Sequence, residues 1–111
     1  MTILLDTIMF CREFDRDIGA RRHVDDGILH VYLRIGFKVG HPGCVFLHIP
    51  DVEVAEEHRN KGLFTAYLDA LELIQPLHGI AVFGVGSTRL RGHLVRRNYL
   101  LYDINDYVKM W

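Results

Sequence analysis

The residues best placed to do chemistry fall in one run, Val52-Glu53-Val54-Ala55-Glu56-Glu57-His58-Arg59-Asn60-Lys61-Gly62-Leu63-Phe64. An extended apolar stretch ends there, a short polar loop follows, and an amphipathic helix begins. Such a loop can wrap several backbone N–H groups around an anion, with help from the helix N-terminus. Arg59 and Lys61 add positive charge where a pyrophosphate would sit, and Gly62 lets the backbone approach a ligand closely. The same residues also read as an ordinary helix entry with solvated charges, so both readings stand at this point.

Three other constellations carry less. His41-x-x-Cys44 followed by His48 has part of a metal spacing, but no second ligand pair accompanies it and His41-Pro42-Gly43 reads as a turn, so no metal is expected. Ser87 lacks a Ser-His-Asp partner set and reads as a helix cap. Arg89, Arg91, His93, Arg96 and Arg97 make a late helix strongly basic. They form either a solvated face or a contact for cofactor phosphates or an acidic macromolecule.

The elements that must position these groups follow from periodicity. Thr2 to Phe14 is apolar and fits either a strand or a helix. Arg12 to Asp26 is charge-dense, with Gly19 and Asp26-Gly27 marking irregular structure or a turn. Ile28 to Ile35 reads as a strand, Gly40-His41-Pro42-Gly43 as a turn, and Cys44 to Val54 as a second strand pairing with the first. Pro50-Asp51 must put a bulge or bend into it. From Gly62, apolar residues at Leu63, Phe64, Tyr67, Leu68, Leu71, Ile74 and Leu77 mark one helical face, fraying at Gln75-Pro76 and closed before Gly79. Ile80 to Val85 fits a buried strand, and Ser87 caps a helix running to about Arg97. Leu100 to Ile104 and Tyr107 to Trp111 flank Asn105-Asp106 as a closing hairpin. The result is a mixed α/β chain with a strand–helix–strand crossover at its centre.

The whole of 1–111 is expected to be one domain, because 111 residues suffice for one and not for two. With 13 Lys+Arg against 14 Asp+Glu the net charge is -1, which gives no sequence-wide drive toward nucleic acid or anionic membrane. Apolar runs such as Ile80-Ala81-Val82-Phe83 are far below the ~20 residues that span a bilayer. Met1 to Asp6 lacks the features of a signal peptide, and Cys11 with Cys44 makes no disulfide framework. These features lead us to expect a soluble cytoplasmic protein with no membrane partner.

The central run resembles the acetyl-CoA-binding motif of the GNAT N-acetyltransferase superfamily, whose loop reads Q/R-x-x-G-x-G/A. Arg59, Asn60, Lys61 and Gly62 fit its first four places, while Phe64 departs from the small final residue and would crowd the helix start. Ile49-Pro50-Asp51-Val52-Glu53-Val54 resembles the family's fourth strand, I-x-D-V-x-V. Ser87 to Tyr99 has the spacing of its late helix, with Ser87 in place of Asn and Asn98-Tyr99 in place of Gly-Phe. Tyr107 to Trp111 suits the seventh strand. The likeness runs from Ile28 to Trp111 and is concentrated at Val52–Leu71. The two helices that the family places between its first two strands must be shortened or rebuilt here.

The resemblance implies an α+β, mostly antiparallel twisted sheet whose fourth and fifth strands splay apart around the pantetheine arm of acetyl-CoA. Backbone groups of Val52 and Val54 would bond that arm. Arg59, Asn60, Lys61, Gly62, Leu63, Phe64 and Thr65 would hold the pyrophosphate, and Ser87 would complete the cofactor site. A free N–H at the bulge would polarise the thioester carbonyl. The activity implied is acetyl-CoA-dependent N-acetyl transfer to a primary amine, on a small molecule or a protein, by direct attack in a ternary complex. His48, Asp51 and Glu53 are the candidate bases. Strict alternation puts Asp51 and Glu53 on one face and His48 on the other, unless the Pro50 bulge shifts the register. At the position of the family's tyrosine acid stands Leu94, beside His93, with Tyr99 and Tyr102 further on. The alternative is a catalytically inactive GNAT-fold module that binds a protein or nucleic acid through its groove or basic late helix. A homodimer would be one way to complete the sheet or the acceptor pocket.

Overall fold

The apolar start of the chain forms helix α1 (Thr2–Glu13), because Ile3, Thr7, Phe10 and Cys11 recur on one helical face and all four are buried. The computed structural model describes residues 2–13, 17–38 and 41–111, so Phe14 lies outside it. The charged segment expected to be irregular instead contains strand β1 (Arg21–Asp25), in which only Val24 is buried. An edge strand solvated on most positions shows little hydrophobic alternation, which is why sequence patterning missed it. Asp26 builds the turn that follows, its Oδ1 accepting from the N–H of Ile28 (3.0 Å) and of Leu29 (2.8 Å).

Strands β2 (Leu29–Lys38) and β3 (His41–Val54) form the expected antiparallel hairpin. His41-Pro42-Gly43 belongs to β3 rather than to a turn, with proline near the strand's start where a missing donor is tolerated. Gly40 lies outside the described residues. Helix α2 (Leu63–Ile74) and strand β4 (Gly79–Val82) come next, then α3 (Thr88–Arg96), β5 (Leu100–Asp103) and β6 (Asp106–Met110). The buried strand stops at Val82, earlier than expected, because Gly84 turns into the left-handed region (φ 63°) and its N–H bonds Asp106 Oδ1. The closing turn is Ile104-Asn105, since Asp106 already lies in β6.

The six strands lie in the order β1-β2-β3-β4-β6-β5. Among the described residues only β3 and β4 run parallel, which requires the α2 crossover between them. Val31, Leu33, Ile35, Leu47, Ile49, Ile80 and Val82 point to one face and share a core with Phe10, Phe64, Tyr67, Leu68, Leu71 and Leu94. All three helices therefore cover the same face of the sheet. The opposite face carries a smaller apolar cluster of Phe46, Ala81 and Val108.

The α1–α2 contact is closed by a buried polar chain. Thr7 Oγ1 donates to Ile3 C=O (2.8 Å), so the hydroxyl of Tyr67, 2.7 Å away, must donate to Thr7. Thr7→Val should cost about 1–3 kcal/mol by orphaning a fully buried phenol. Chemical denaturation of both single variants and of Thr7→Val/Tyr67→Phe tests this: the double variant should lose less than the sum of the singles.

Candidate functional site

Between Tyr32↔Asp51 and Arg34↔His48, β2 contributes one residue and β3 two, Ile49 and Pro50. This β-bulge shifts the alternation, so Ile49 and Val52 both face the core although they are three apart. His48, Asp51 and Glu53 consequently share the sheet's open face, the arrangement strict alternation excluded.

Beyond the bulge, β3 and β4 part. Their pairing runs from Leu47↔Ile80 to Ile49↔Val82, and the last rung is Phe83 N–H to Ile49 C=O (3.1 Å). A cleft of about 230 Å³ opens there between Pro50-Asp51-Val52 and Phe83-Gly84-Val85. It adjoins a second cavity of about 260 Å³ lined by Val52, Val54, residues 58–65, Ser87, Arg89 and Leu90. Ala55 N–H bonds Ile28 C=O, and from that rung the antiparallel ladder alternates so that the backbone of Val52 and Val54 points away from β2. Side chains cap both groups: Asp51 Oδ1 accepts from Val52 N–H (2.9 Å), and Arg59 Nε donates to Val54 C=O (2.9 Å). Pro50 has no N–H, so the donor expected at the bulge itself is missing; Asp51, opposite Tyr32, turns its backbone toward β2, and Val52 offers the first N–H on the β4 side.

The loop leaves its amides open. Among the described residues no protein acceptor takes the N–H of Asn60, Lys61, Gly62, Leu63, Phe64 or Thr65. Asn60 (φ 64°) and Gly62 (φ 73°) are both left-handed, which folds the chain back onto the start of α2. The Thr65 hydroxyl donates to Gly62 C=O (2.9 Å). Arg59, Asn60 and Lys61 are exposed, and Leu63 is half-buried. The ring of Phe64 does not crowd the loop: it is buried in the core, 6.0 Å from the ring of Tyr67. Ser87 caps α3, its Oγ accepting from Leu90 N–H (3.2 Å), and lines both cavities. Arg89 was not singled out for this loop by the sequence, yet it donates to Asn60 C=O (3.1 Å). Its only sequence signal was membership of the basic helix.

Most of that helix is engaged internally. Arg91 donates to Val85 C=O, His93 pairs with Asp69, and Arg97 pairs with Glu72 and Asp69. Leu94 is fully buried, and Tyr99 is turned into the core, where burial and the neighbouring Glu72 push its hydroxyl up. Tyr102 is exposed on β5.

His48 is buried with both ring nitrogens engaged. A carbonyl only accepts and a guanidinium only donates, so Nε2–H donates to Phe37 C=O (3.1 Å) and Nδ1 accepts from Arg34 (3.0 Å). The ring is therefore the neutral Nε2–H tautomer, packed 5.0 Å from the ring of Phe83. These contacts also remove His48 from any metal set with Cys44, and the side chain of His41 lies outside the description. Asp51 and Glu53 are exposed, and Asp51 lines both the cleft and a larger open-face pocket.

Arabidopsis thaliana NAA60, solved as a crystal structure in complex with a bisubstrate analogue, matches with a TM-score of 0.51 over 75% of this chain at 14% identity. The fold is GNAT-like. The chain spans 64% of that structure's length. No protein-family model matches the chain, and no curated protein does. Counting from β3 as the fourth strand and β6 as the seventh, β1 takes the place of the GNAT fold's second strand, and α1 is the described helix ahead of it.

Two outcomes follow for His48. A Cβ at Gly36 would stand 2.5 Å from His48 Cε1, so Gly36→Ala should cost about 1–3 kcal/mol, with a smaller cost in a His48→Ala background. Burial first, then Arg34, holds His48 below the ordinary imidazole value of 6.5. The unfolded chain thus gains this proton before the folded chain does, and the group's stabilising contribution is complete above that value and lost as pH falls below it. Urea unfolding between about pH 7.5 and 5.5 should show the parent losing more stability than His48→Gln.

Proposed function

We propose that this chain, acting as one unit over residues 1–111, is an N-acetyltransferase that uses acetyl-CoA and an amine acceptor. The observation that carries the reading is the row of unpartnered amides from Asn60 to Thr65, opening onto a cavity continuous with the parted strands. The residues fit the group. Six N–H donors at a helix N-terminus suit a pyrophosphate, with Lys61, Arg89 and Ser87 around them. Val52 and Val54 offer strand-like backbone groups to a pantetheine arm once their side-chain caps swing away.

Acetyl-CoA supplies an activated thioester carbonyl. Val52 N–H would serve as the donor to the oxygen where charge develops, once Asp51 turns from it. The freed Asp51 carboxylate, at the junction of cleft and open-face pocket, takes the proton from the acceptor ammonium. The amine nitrogen would then bond the carbonyl carbon as the carbon–sulfur bond breaks, and the second proton that the nitrogen sheds on becoming an amide would pass through water in the open cleft to the thiolate. Glu53, on the same face, supports the positive acceptor. His48 holds Arg34 and the wall of the site, since its only lone pair is taken. The second reading, a binding module without turnover, draws on the buried Leu94 at the usual tyrosine position.

Thermal unfolding with acetyl-CoA, CoA and ATP tests the assignment. A hundredfold excess over the dissociation constant adds ~2.7 kcal/mol, so acetyl-CoA and CoA should raise Tm while ATP does not. Gly62→Asp and the surface variant Lys61→Glu should abolish or weaken the shift. Asp51→Asn should keep the shift and lose at least tenfold in acetylation rate. A shift without turnover on any amine would establish the binding module, and no shift would remove the cofactor assignment.

A further inference from the structure

Strands β1 and β2 gather three metal-ligating side chains on the open face near the outer edge of the sheet, where His30 also lies opposite Glu53 of β3. His23 and Asp25 stand two apart on β1 and share a face. The antiparallel register sets Asp25 opposite His30 and His23 opposite Tyr32, which brings His30 to the same face. One ligand atom from each of His23, Asp25 and His30 lies within 4.8 Å of the others, and His23 Nε2 is 3.9 Å from Asp25 Oδ2.

We propose that His23, Asp25 and His30 form a binding site for a divalent transition metal of the zinc class. Two imidazoles with one carboxylate suit zinc, cobalt or nickel, whereas magnesium and calcium call for oxygen ligands throughout. Ligand atoms around a tetrahedral zinc stand about 3–3.6 Å apart, so closing the set takes rotation of the exposed His23 and Asp25 and of the half-buried His30, whose ring now stacks on that of His23 at 5.6 Å. Neighbouring groups already orient it. Asp25 Oδ1 accepts from Gly27 N–H (3.1 Å), which leaves Oδ2 turned toward His23. The ring of Tyr32 stacks on His23 at 4.5 Å and 7°. Such outer contacts are what hold ligands in metal sites. Asp26, within electrostatic reach of His30, adds negative charge nearby. Three protein ligands leave a coordination position open. Of the three ligands, His23 also lines the open-face pocket of about 530 Å³, with Arg21, Tyr32, Arg34, Pro50 and Asp51.

Chelator-treated protein titrated with zinc chloride by calorimetry should bind one equivalent with micromolar affinity, and cobalt should give the visible absorption of a low-symmetry site. His23→Ala, His30→Ala and Asp25→Asn should each weaken binding at least tenfold, while His93→Ala, which alters an imidazole on α3, should not. Absence of binding, or affinity unchanged in His23→Ala/His30→Ala, would overturn the site. Line broadening by cobalt in the parent provides a check that needs no variant. Imidazole signals of His23 and His30 should broaden first, and broadening led by other histidines would equally overturn the assignment.

Discussion

The extra residue in β3 at Ile49–Pro50 is the constraint on which the site depends. It reverses the alternation, turning Val52 and Val54 into the core and placing His48, Asp51 and Glu53 together on the open face. It coincides with the last rung to β4, so the backbone of the following residues is left for another extended partner. Because the bulge contains proline, it also supplies no donor of its own, and the duty shifts to Val52. A regular strand of the same composition would have kept pairing and left no cleft.

The groups that such a partner would need are held, for the time being, by side chains next to them in sequence. Asp51 covers the Val52 amide and Arg59 covers the Val54 carbonyl. These contacts meet the demand that backbone polar groups be paired, yet they break by simple side-chain rotation. The loop amides from Asn60 to Thr65 differ, having no protein acceptor among the described residues.

Around this site the helices are tied by charge. Glu72 on α2 is buried against Arg97 and Lys109, and Asp69 meets His93 and Arg97, so α2, α3 and β6 are joined by one network. A buried carboxylate is tolerable only with such partners. The same pairing sets the carboxylates of Asp69 and Glu72 against His93 and the exposed Arg97. It also leaves Arg89 on the loop side, where it meets Asn60.

Much of this was legible in the residues. The periodicity from Leu63 to Ile74, the Ser87 cap, the hairpin of β2 and β3, and the polar loop with Gly62 are local features, set by spacing, side-chain chemistry and backbone freedom within a few residues. The bulge itself was readable from Pro50. What it does to the faces was not, since register is decided by which residues of β2 lie opposite. The fate of His48 was equally hidden: its nitrogens are satisfied by Arg34 and Phe37, partners chosen by the hairpin and not by any motif. Strand β1 showed no alternation, so its pairing with β2, and with it the meeting of His23, Asp25 and His30, exists only once the sheet is assembled. The sequence by itself therefore determined which elements form and where an anion would be welcome. Tertiary structure decided which side chains meet, because contacts across strands depend on a register that no single segment encodes.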